Sequence, residues 1–397
     1  MLDATGSITD LGTVGVLLDQ RHTAIANEVA DFARTHIAPL PEPPDDDQGR
    51  AQARVILRLM GEHGWGRWAV PAAYGGVVDG VDLRACCLIR EALAWASPLA
   101  DDIFAIQCLA AMPIRLAGDD AQRRRILPAV AAGETMLAFA MTESEAGSDV
   151  AAMRTRAVRD ENGWRLDGGK SLISNAGLAD LYVVFAATDP DAGHRGLAAF
   201  LVDADNPGLR FVRPQVLAAA HPLGEIALDD CRVTADALLG APGEGFKLGM
   251  RTLDRLRATV AAAACGMAAR ALDEALAHAR QREQFGKPLV EQQLIQQKLA
   301  RMATELAASR LLTYRAARLA DDQAAGDEIT LAAAMAKLYA TEAAQRIVDD
   351  AVQVLGGRGV LIDSPVDRLY RSVRALRIYE GTSEIQHLVI ARRLTRR

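Results

Sequence analysis

WRLDGGKSLISNAGLADLYVVFAATDPDAGHRGLAAFLVD, residues 164–203, is the stretch on which the fold turns. Four short runs, WRLDG, KSLISN, LYVVFAAT and GLAAFLVD, follow one another with only turn chemistry between them. β-Branched and aromatic side chains suit a pleated, half-buried surface, and Gly, Asp and Asn supply the turns. The turn signals are DENG (160–163), DGG (167–169) and DPDAG (189–193). LRFV (209–212) and EIALDDCRV (225–233) extend the series. Strands that succeed strands without an intervening helix predict an antiparallel sheet.

Helical texture lies on both sides of this region. Toward the N-terminus, segments near 14–37, 50–64, 84–97, 102–117 and 120–132 are separated by Pro- or Gly-containing breaks, and PLPEPPDDDQG (39–49) is a loop by composition. Beyond residue 241, apolar residues recur at helical spacing. Met250, Leu253, Leu256, Val260, Met267 and Leu272 form one stripe; Leu299, Met302 and Leu306 form a second; Leu331, Met335 and Leu338 form a third. Three long helices, closed by a fourth over 383–396, suit an antiparallel four-helix bundle. The expected fold is α+β and mostly α. It has an N-terminal helical domain (1–134), a middle antiparallel β domain (135–240) and a C-terminal four-helix bundle (241–397).

Composition narrows the function classes. The 397 residues are half hydrophobic and carry a net charge of −6, so no basic excess points to nucleic acid or an anionic membrane. Cys86, Cys87, Cys108, Cys231 and Cys265 are an odd set without CxxC spacing or nearby histidine pairs. Neither metal binding nor disulfides are expected, and a reducing cytoplasm fits. The N-terminus has no basic region followed by a long apolar core, so a signal peptide is not expected. ATVAAAACGMAA (258–269) is built of small residues and is too short to span a bilayer; it predicts a buried helix with close neighbours.

Several motifs carry polar groups in suggestive places. AMTESEAGSD (140–149) gathers Thr142, Ser144, Gly147 and Ser148 on one loop, suited to a heteroaromatic edge or a phosphate, or simply to a domain connector. In SLISNAG (171–177), Ser174 and Asn175 either meet a ligand or close a turn. Asp254 and Arg257 share a helix face, as in any intrahelical ion pair. RQREQFGKPL (280–289) breaks a helix; Arg282 suits an anionic partner, or the stretch is a charged helix end with one buried aromatic. In AVQVLGGRGV (351–360) the glycines follow a helical pattern rather than a strand, which excludes a dinucleotide fingerprint and predicts a helix end. In RALRIYEGTSEIQ (374–386), S-x-x-Q predicts a capping box with Ser383 as N-cap and an inner stripe of Ile385, Leu388 and Val389. Locally, Glu380 is either a base or a partner of the helix dipole.

In this order and at these spacings, the motifs AMTESEAGSD, QREQFGKPL, QVLGGRGV and IYEGTSEIQ resemble those of the acyl-CoA dehydrogenase family over nearly the whole chain. The resemblance implies FAD-dependent α,β-dehydrogenation of an acyl-CoA, or of an acyl group on a carrier protein. It implies FAD between the β domain and the bundle, held partly by a neighbouring subunit of a homotetramer or dimer. An electron-transfer flavoprotein would accept the electrons. Glu380 matches the catalytic base, and Leu256 occupies the alternative base position and cannot serve. Phe139, Met141, Thr142, Leu172 and Ser174 match positions lining the isoalloxazine. Arg282, Phe285 and Gln293 match FAD contacts across the subunit interface, Gln353 and Gly357 contacts to the adenosine diphosphate, and Thr382 and Glu384 contacts at the last helix. Ser148, Asp254, Arg257, Gly381 and Arg392 match positions near the acyl-CoA. Departures are Ser144 for the usual proline, Leu172 for tryptophan, Ser174 for threonine, and Glu384 for the glutamine of some members. The same resemblance admits an oxygen-using oxidase or a non-catalytic acyl-CoA-binding subunit, and a ligand-free helical structural protein is the rival outside it.

Overall fold

The computed structural model describes residues 8–395. The helices are α1 (Leu11–Val14), α2 (Gln20–Phe32), α3 (Asp46–Glu62), α4 (Leu83–Ala96), α5 (Pro98–Ala117) and α6 (Asp120–Ala131), then α7 (Gly245–Gln281), α8 (Gln293–Asp321), α9 (Gly326–Leu355), α10 (Pro365–Val373) and α11 (Ser383–Thr395). The strands are β1 (Leu137–Ala140), β2 (Arg156–Arg159), β3 (Gly163–Ser174), β4 (Leu181–Ala187), β5 (Leu197–Asp203), β6 (Leu209–Pro214), β7 (Leu223–Thr234) and β8 (Leu238–Leu239), with a small hairpin β9 (Glu283–Gln284) and β10 (Lys287–Pro288) between α7 and α8. Among the described residues, no helix is long and apolar enough to cross a membrane.

The chain forms two compact units. One holds residues 8–40, 82–101 and 254–395; the other holds 41–81 and 102–253. The first is helical. Its frame is α7, α8 and α9, of 37, 29 and 30 residues, with α11 packed on α9. Small residues set the distances: Ala261 to Ala264 are fully buried, and a Cβ on Gly266 would lie 2.1 Å from the Glu91 carbonyl oxygen of α4. ATVAAAACGMAA is therefore a buried helix in backbone-to-backbone contact with its neighbour, as its composition predicts. The fully buried Glu91 carboxylate survives there because Arg310 Nε and the Tyr314 hydroxyl each donate to it at 2.7 Å.

The second unit is built on an eight-stranded sheet in the order β6-β7-β3-β2-β4-β5-β8, with β1 beside β4. Trp164, Leu166, Ile173, Tyr182, Phe200, Val202 and Ile226 pack together on it. The expected antiparallel sheet is corrected in one respect. β1 and β2 both run parallel to β4, so the sheet is mixed. β1 is the apolar run before AMTESEAGSD. Strand-type composition marks a strand without showing from which end the chain enters it. DENG makes the β2–β3 turn, with Asp160 N donating to Gly163 O at 3.0 Å. DGG does not turn: WRLDG and KSLISN are one 12-residue strand, and the glycines absorb a register shift against β7.

Candidate active site

Glu380 sits in the loop before α11 with φ +51, a left-handed conformation that a non-glycine residue adopts only at a cost of roughly 1–3 kcal/mol. Gly381 follows at φ +91, and a Cβ there would come within 2.6 Å of the Gln386 side-chain amide. Three contacts hold this turn. Lys337 Nζ of α9 donates to the Gly381 carbonyl at 2.7 Å, Gln386 Nε2 donates to the same oxygen at 2.9 Å, and Gln386 N donates to Thr382 O at 2.9 Å. The cap of α11 is Thr382, whose Oγ1 accepts from Ile385 N at 3.3 Å, not Ser383. Ser383 instead donates to Glu342 Oε1 at 2.6 Å, so the S-x-x-Q pattern is offset by one residue. The expected inner stripe is also shifted: Ser383 and Gln386 are buried while Leu388 is 49% exposed, because tying Gln386 under the turn rotates the polar residues inward.

The turn places Glu380 Oε2 out of solvent with no hydrogen-bond partner. Burial pushes its carboxyl up, against the opposing charges of Arg90, Lys337 and Arg257. Burial also pulls Lys337 down to about 8, although Glu380 opposes the shift. Arg90 is buried and forks onto Asp101 at 2.7 and 2.8 Å, with its third nitrogen on Thr259 Oγ1 at 2.9 Å. Arg257 is buried, donates to Asp254 at 2.6 Å, and keeps a buried Nε with no partner. Asp254 and Arg257 thus form the ordinary i,i+3 ion pair, and the charge of Arg257 is felt at Glu380. Sequence reasoning missed Lys337, Arg90 and Asp101, since a lone charged residue inside a helical pattern carries no signal of what it faces.

Five of the residues expected to meet the cofactor lie on the surface of the helical unit: Arg282, Phe285, Gln293, Gln353 and Gly357. Phe285 is not a buried aromatic. It stands 96% exposed at the tip of the β9–β10 hairpin, where Phe285 and Gly286 both take positive φ. Gly356 ends α9 at φ +59, as the glycine run predicts. Glu384 and Arg392 of α11 are exposed, and Thr382 is partly covered.

In the sheet unit, one buried lysine joins two motifs. Lys170 Nζ donates to Glu143 Oε1 at 2.8 Å and to Met141 O at 3.2 Å. Glu143 also accepts from the amides of Arg154 and Thr155 at 2.6 and 2.9 Å. Burial raises the Glu143 carboxyl, but Lys170 and the amides of Thr155 and Arg154 together outweigh it and hold the group below its ordinary value. The lysine's own pKa is lowered to about 8 by burial. This pair fixes the loop carrying Met141 and Thr142 against β3. Leu172 points out, 54% exposed at φ +57. Met141 is buried, Phe139 and Ser174 are half-buried, and Ser148 is exposed. Ser174 Oγ lies 2.8 Å from His221 Nε2, and His221 Nδ1 lies 2.6 Å from Asp102 Oδ2. Asn175, at φ +64, closes the turn with its side chain donating to Leu137 O at 2.9 Å.

One cluster among the described residues has metal-ligand types: His22, Asp82 and Asp321. Its atoms are consumed internally. His22 Nδ1 accepts from Asp19 N, Nε2 meets Asp82 at 3.0 Å, and Asp321 accepts from the Leu83 and Arg84 amides.

Six non-glycine residues among those described have positive φ, and four of them (Leu172, Asn175, Phe285 and Glu380) fall inside the sequence motifs. Strain collects where function constrains a backbone. Family models for the N-terminal, middle and C-terminal domains of acyl-CoA dehydrogenases match residues 19–134, 138–231 and 243–395. The chain belongs to the acyl-CoA dehydrogenase family. It is 36% identical to the probable acyl-CoA dehydrogenase fadE25 of Mycobacterium leprae, over 96% of each chain. Butyryl-CoA dehydrogenase from Megasphaera elsdenii superposes with a TM-score of 0.89 at 33% identity, covering 96% of this chain and 99% of its own. A glutaryl-CoA dehydrogenase from Mycobacterium smegmatis in complex with FADH2 gives 0.86 at 30% identity, over 98% of both chains. As an acyl-CoA dehydrogenase family member, the chain is an oxidoreductase, and acyl-CoA dehydrogenation is the activity its relatives are named for.

Proposed function

We propose that this protein is an FAD-dependent acyl-CoA dehydrogenase with Glu380 as its base. The observation that carries this reading is Glu380 Oε2: a sealed carboxylate oxygen without a partner, on a strained turn held in place from two sides. A structural acid before a helix would spend that oxygen on an N–H group.

The polar inventory fits FAD and an acyl thioester. Glu380 Oε2 and Arg257 Nε are both buried and unpartnered, and the outward-pointing Leu172 offers an apolar face beside the Ser174 hydroxyl. Phe139, Met141, Thr142, Leu172 and Ser174 would hold the isoalloxazine, and Thr382 and Glu384 would anchor it at α11. Arg282, Phe285, Gln293, Gln353 and Gly357, all exposed on one chain, would hold FAD across a subunit contact in a homotetramer or dimer. Bound FAD supplies the hydride acceptor. Glu380 takes the α-proton of the thioester. The raised affinity of its buried carboxyl for a proton brings base strength closer to the task. Arg257 and Asp254 orient the acyl-CoA, with Ser148 and Arg392 on its outer part, and the Glu380 amide faces the thioester carbonyl. An electron-transfer flavoprotein is the electron acceptor, and the enzyme works in the cytoplasm.

Glu380→Gln preserves charge-independent packing and removes the base. The variant is expected to copurify with FAD and bind acyl-CoA, yet to lose anaerobic bleaching of the flavin absorbance by a thousandfold or more, on the order of a lost general base plus its positioning. Bleaching at the wild-type rate rules Glu380 out. Turnover with oxygen exceeding turnover with an artificial acceptor would replace the dehydrogenase by an oxidase.

A further inference from the structure

The sheet unit contains a second constellation, of which the reading above uses only Ser174. Asp102 of α5, His221 of the loop between β6 and β7, and Ser174 at the end of β3 form one line: Asp102 Oδ2 to His221 Nδ1 at 2.6 Å, and His221 Nε2 to Ser174 Oγ at 2.8 Å. His221 and Asp102 are mostly covered, with side-chain exposures of 12% and 15%. An ionised carboxylate only accepts hydrogen bonds, so Nδ1 of a neutral imidazole carries the hydrogen and Nε2 is the acceptor. Ser174 then donates its hydroxyl hydrogen to Nε2, which leaves its oxygen lone pairs to accept from another donor.

This order of Ser, His and Asp is that of a hydrolytic triad, and the surrounding backbone decides against hydrolysis. An acyl-transfer serine needs free N–H donors for the developing oxyanion. Here the amide of Ser171 donates to Thr142 O, that of Leu172 to Gln215 Oε1, that of Asn175 to Pro222 O, that of Ala176 to Ile173 O and that of Gly177 to the Tyr182 hydroxyl. What remains is a proton line that ends on a half-buried hydroxyl with accepting capacity left.

We propose that Asp102, His221 and Ser174 form a proton relay that opens at Ser174 Oγ and receives a proton from a ring N–H group bound against it. The identity of that group as the flavin rests on the reading above. The transfer balances without electrons: the ring N–H bond breaks as a new O–H bond forms at Ser174, the original Ser174 O–H bond breaks, and an N–H bond forms at His221 Nε2. Asp102 faces the resulting imidazolium. His221 is a positioning residue, acting through Ser174. Two arginines on the elements around the loop are already engaged: Arg50 of α3 pairs with Asp46 and donates to Ala176 O and Leu223 O, and Arg213 of β6 pairs with Glu225 of β7.

The test uses the FAD-loaded protein titrated with a chemical reductant, reading the midpoint potential of the bound flavin across pH. Wild type and Ser174→Thr are expected to share a break in the potential–pH line. His221→Gln and Ser174→Ala, with FAD still bound, are expected to lack it. Glutamine keeps hydrogen bonds to Ser174 and Asp102 but cannot carry the proton, so a purely structural bridge predicts the same line in all four proteins and overturns the relay. Because the reductant does not use Glu380, the outcome is independent of the base assignment. Acyl-CoA bleaching that survives Glu380→Gln removes the base, and an unchanged potential–pH line removes the relay.

Discussion

At the scale of the single residue, Glu380 is costly. A carboxyl whose folded-state pKa is raised binds its proton more tightly in the folded chain than in the unfolded one. The stability linked to that proton is complete below the unfolded value, near 4.5, and is lost as pH rises through the folded value. Above the folded value the ionised group therefore weighs against folding. Glu380→Gln is expected to melt at a higher temperature than wild type at neutral pH, with the gap closing as pH falls toward 4.5; a constant gap would mean the effect is not electrostatic. That Glu380 is a candidate base and not an ordinary helix-end acid was legible only through its motif. Lys337, Arg90 and Asp101, which shape its charge, were not legible, because they lie on α9, α4 and α5, far away in sequence. His221 was equally silent, as one histidine in the loop LAAAHPLG.

At the scale of elements, the loop between β1 and β2 depends on one buried ion pair. Lys170→Met would leave the Glu143 carboxylate buried with two amides and no cation. The expected loss is about 3–5 kcal/mol, seen as a lower urea midpoint. Lys170→Met combined with Glu143→Gln should lose much less than the sum of the single changes, and additive losses would show that the two side chains are not coupled. Helices and strands themselves were largely legible from period and turn chemistry. α7, α8 and α9 appear where the apolar stripes place them. The errors sit where one residue type serves two ends. DGG has the composition of a turn and acts as a register shift, and Thr382 beside Ser383 offers two capping hydroxyls of which only one side chain caps.

At the scale of the whole molecule, the exposed hairpin tip is the informative feature. Phe285 touches so little of its own chain that Phe285→Ser should leave single-chain stability within about 0.5 kcal/mol of wild type. It should nevertheless weaken subunit assembly and FAD retention together, measured by sedimentation and by the flavin absorbance of the purified protein. Assembly and FAD content equal to wild type would remove Phe285 from the interface. The α–β–α order was visible because composition changes sharply at both borders of the strand region; the division into two packed units was not, since it follows contacts rather than chain order. All five cysteines are buried, and burial pushes the Cys231 thiol up to about 11, that of Cys265 higher still, and that of Cys87 well above the ordinary thiol range. Thiol reagents attack the thiolate, so the folded chain is nearly blind to maleimide dyes. A fluorophore attached through Phe285→Cys would then report from a single known position, with no native cysteine to remove.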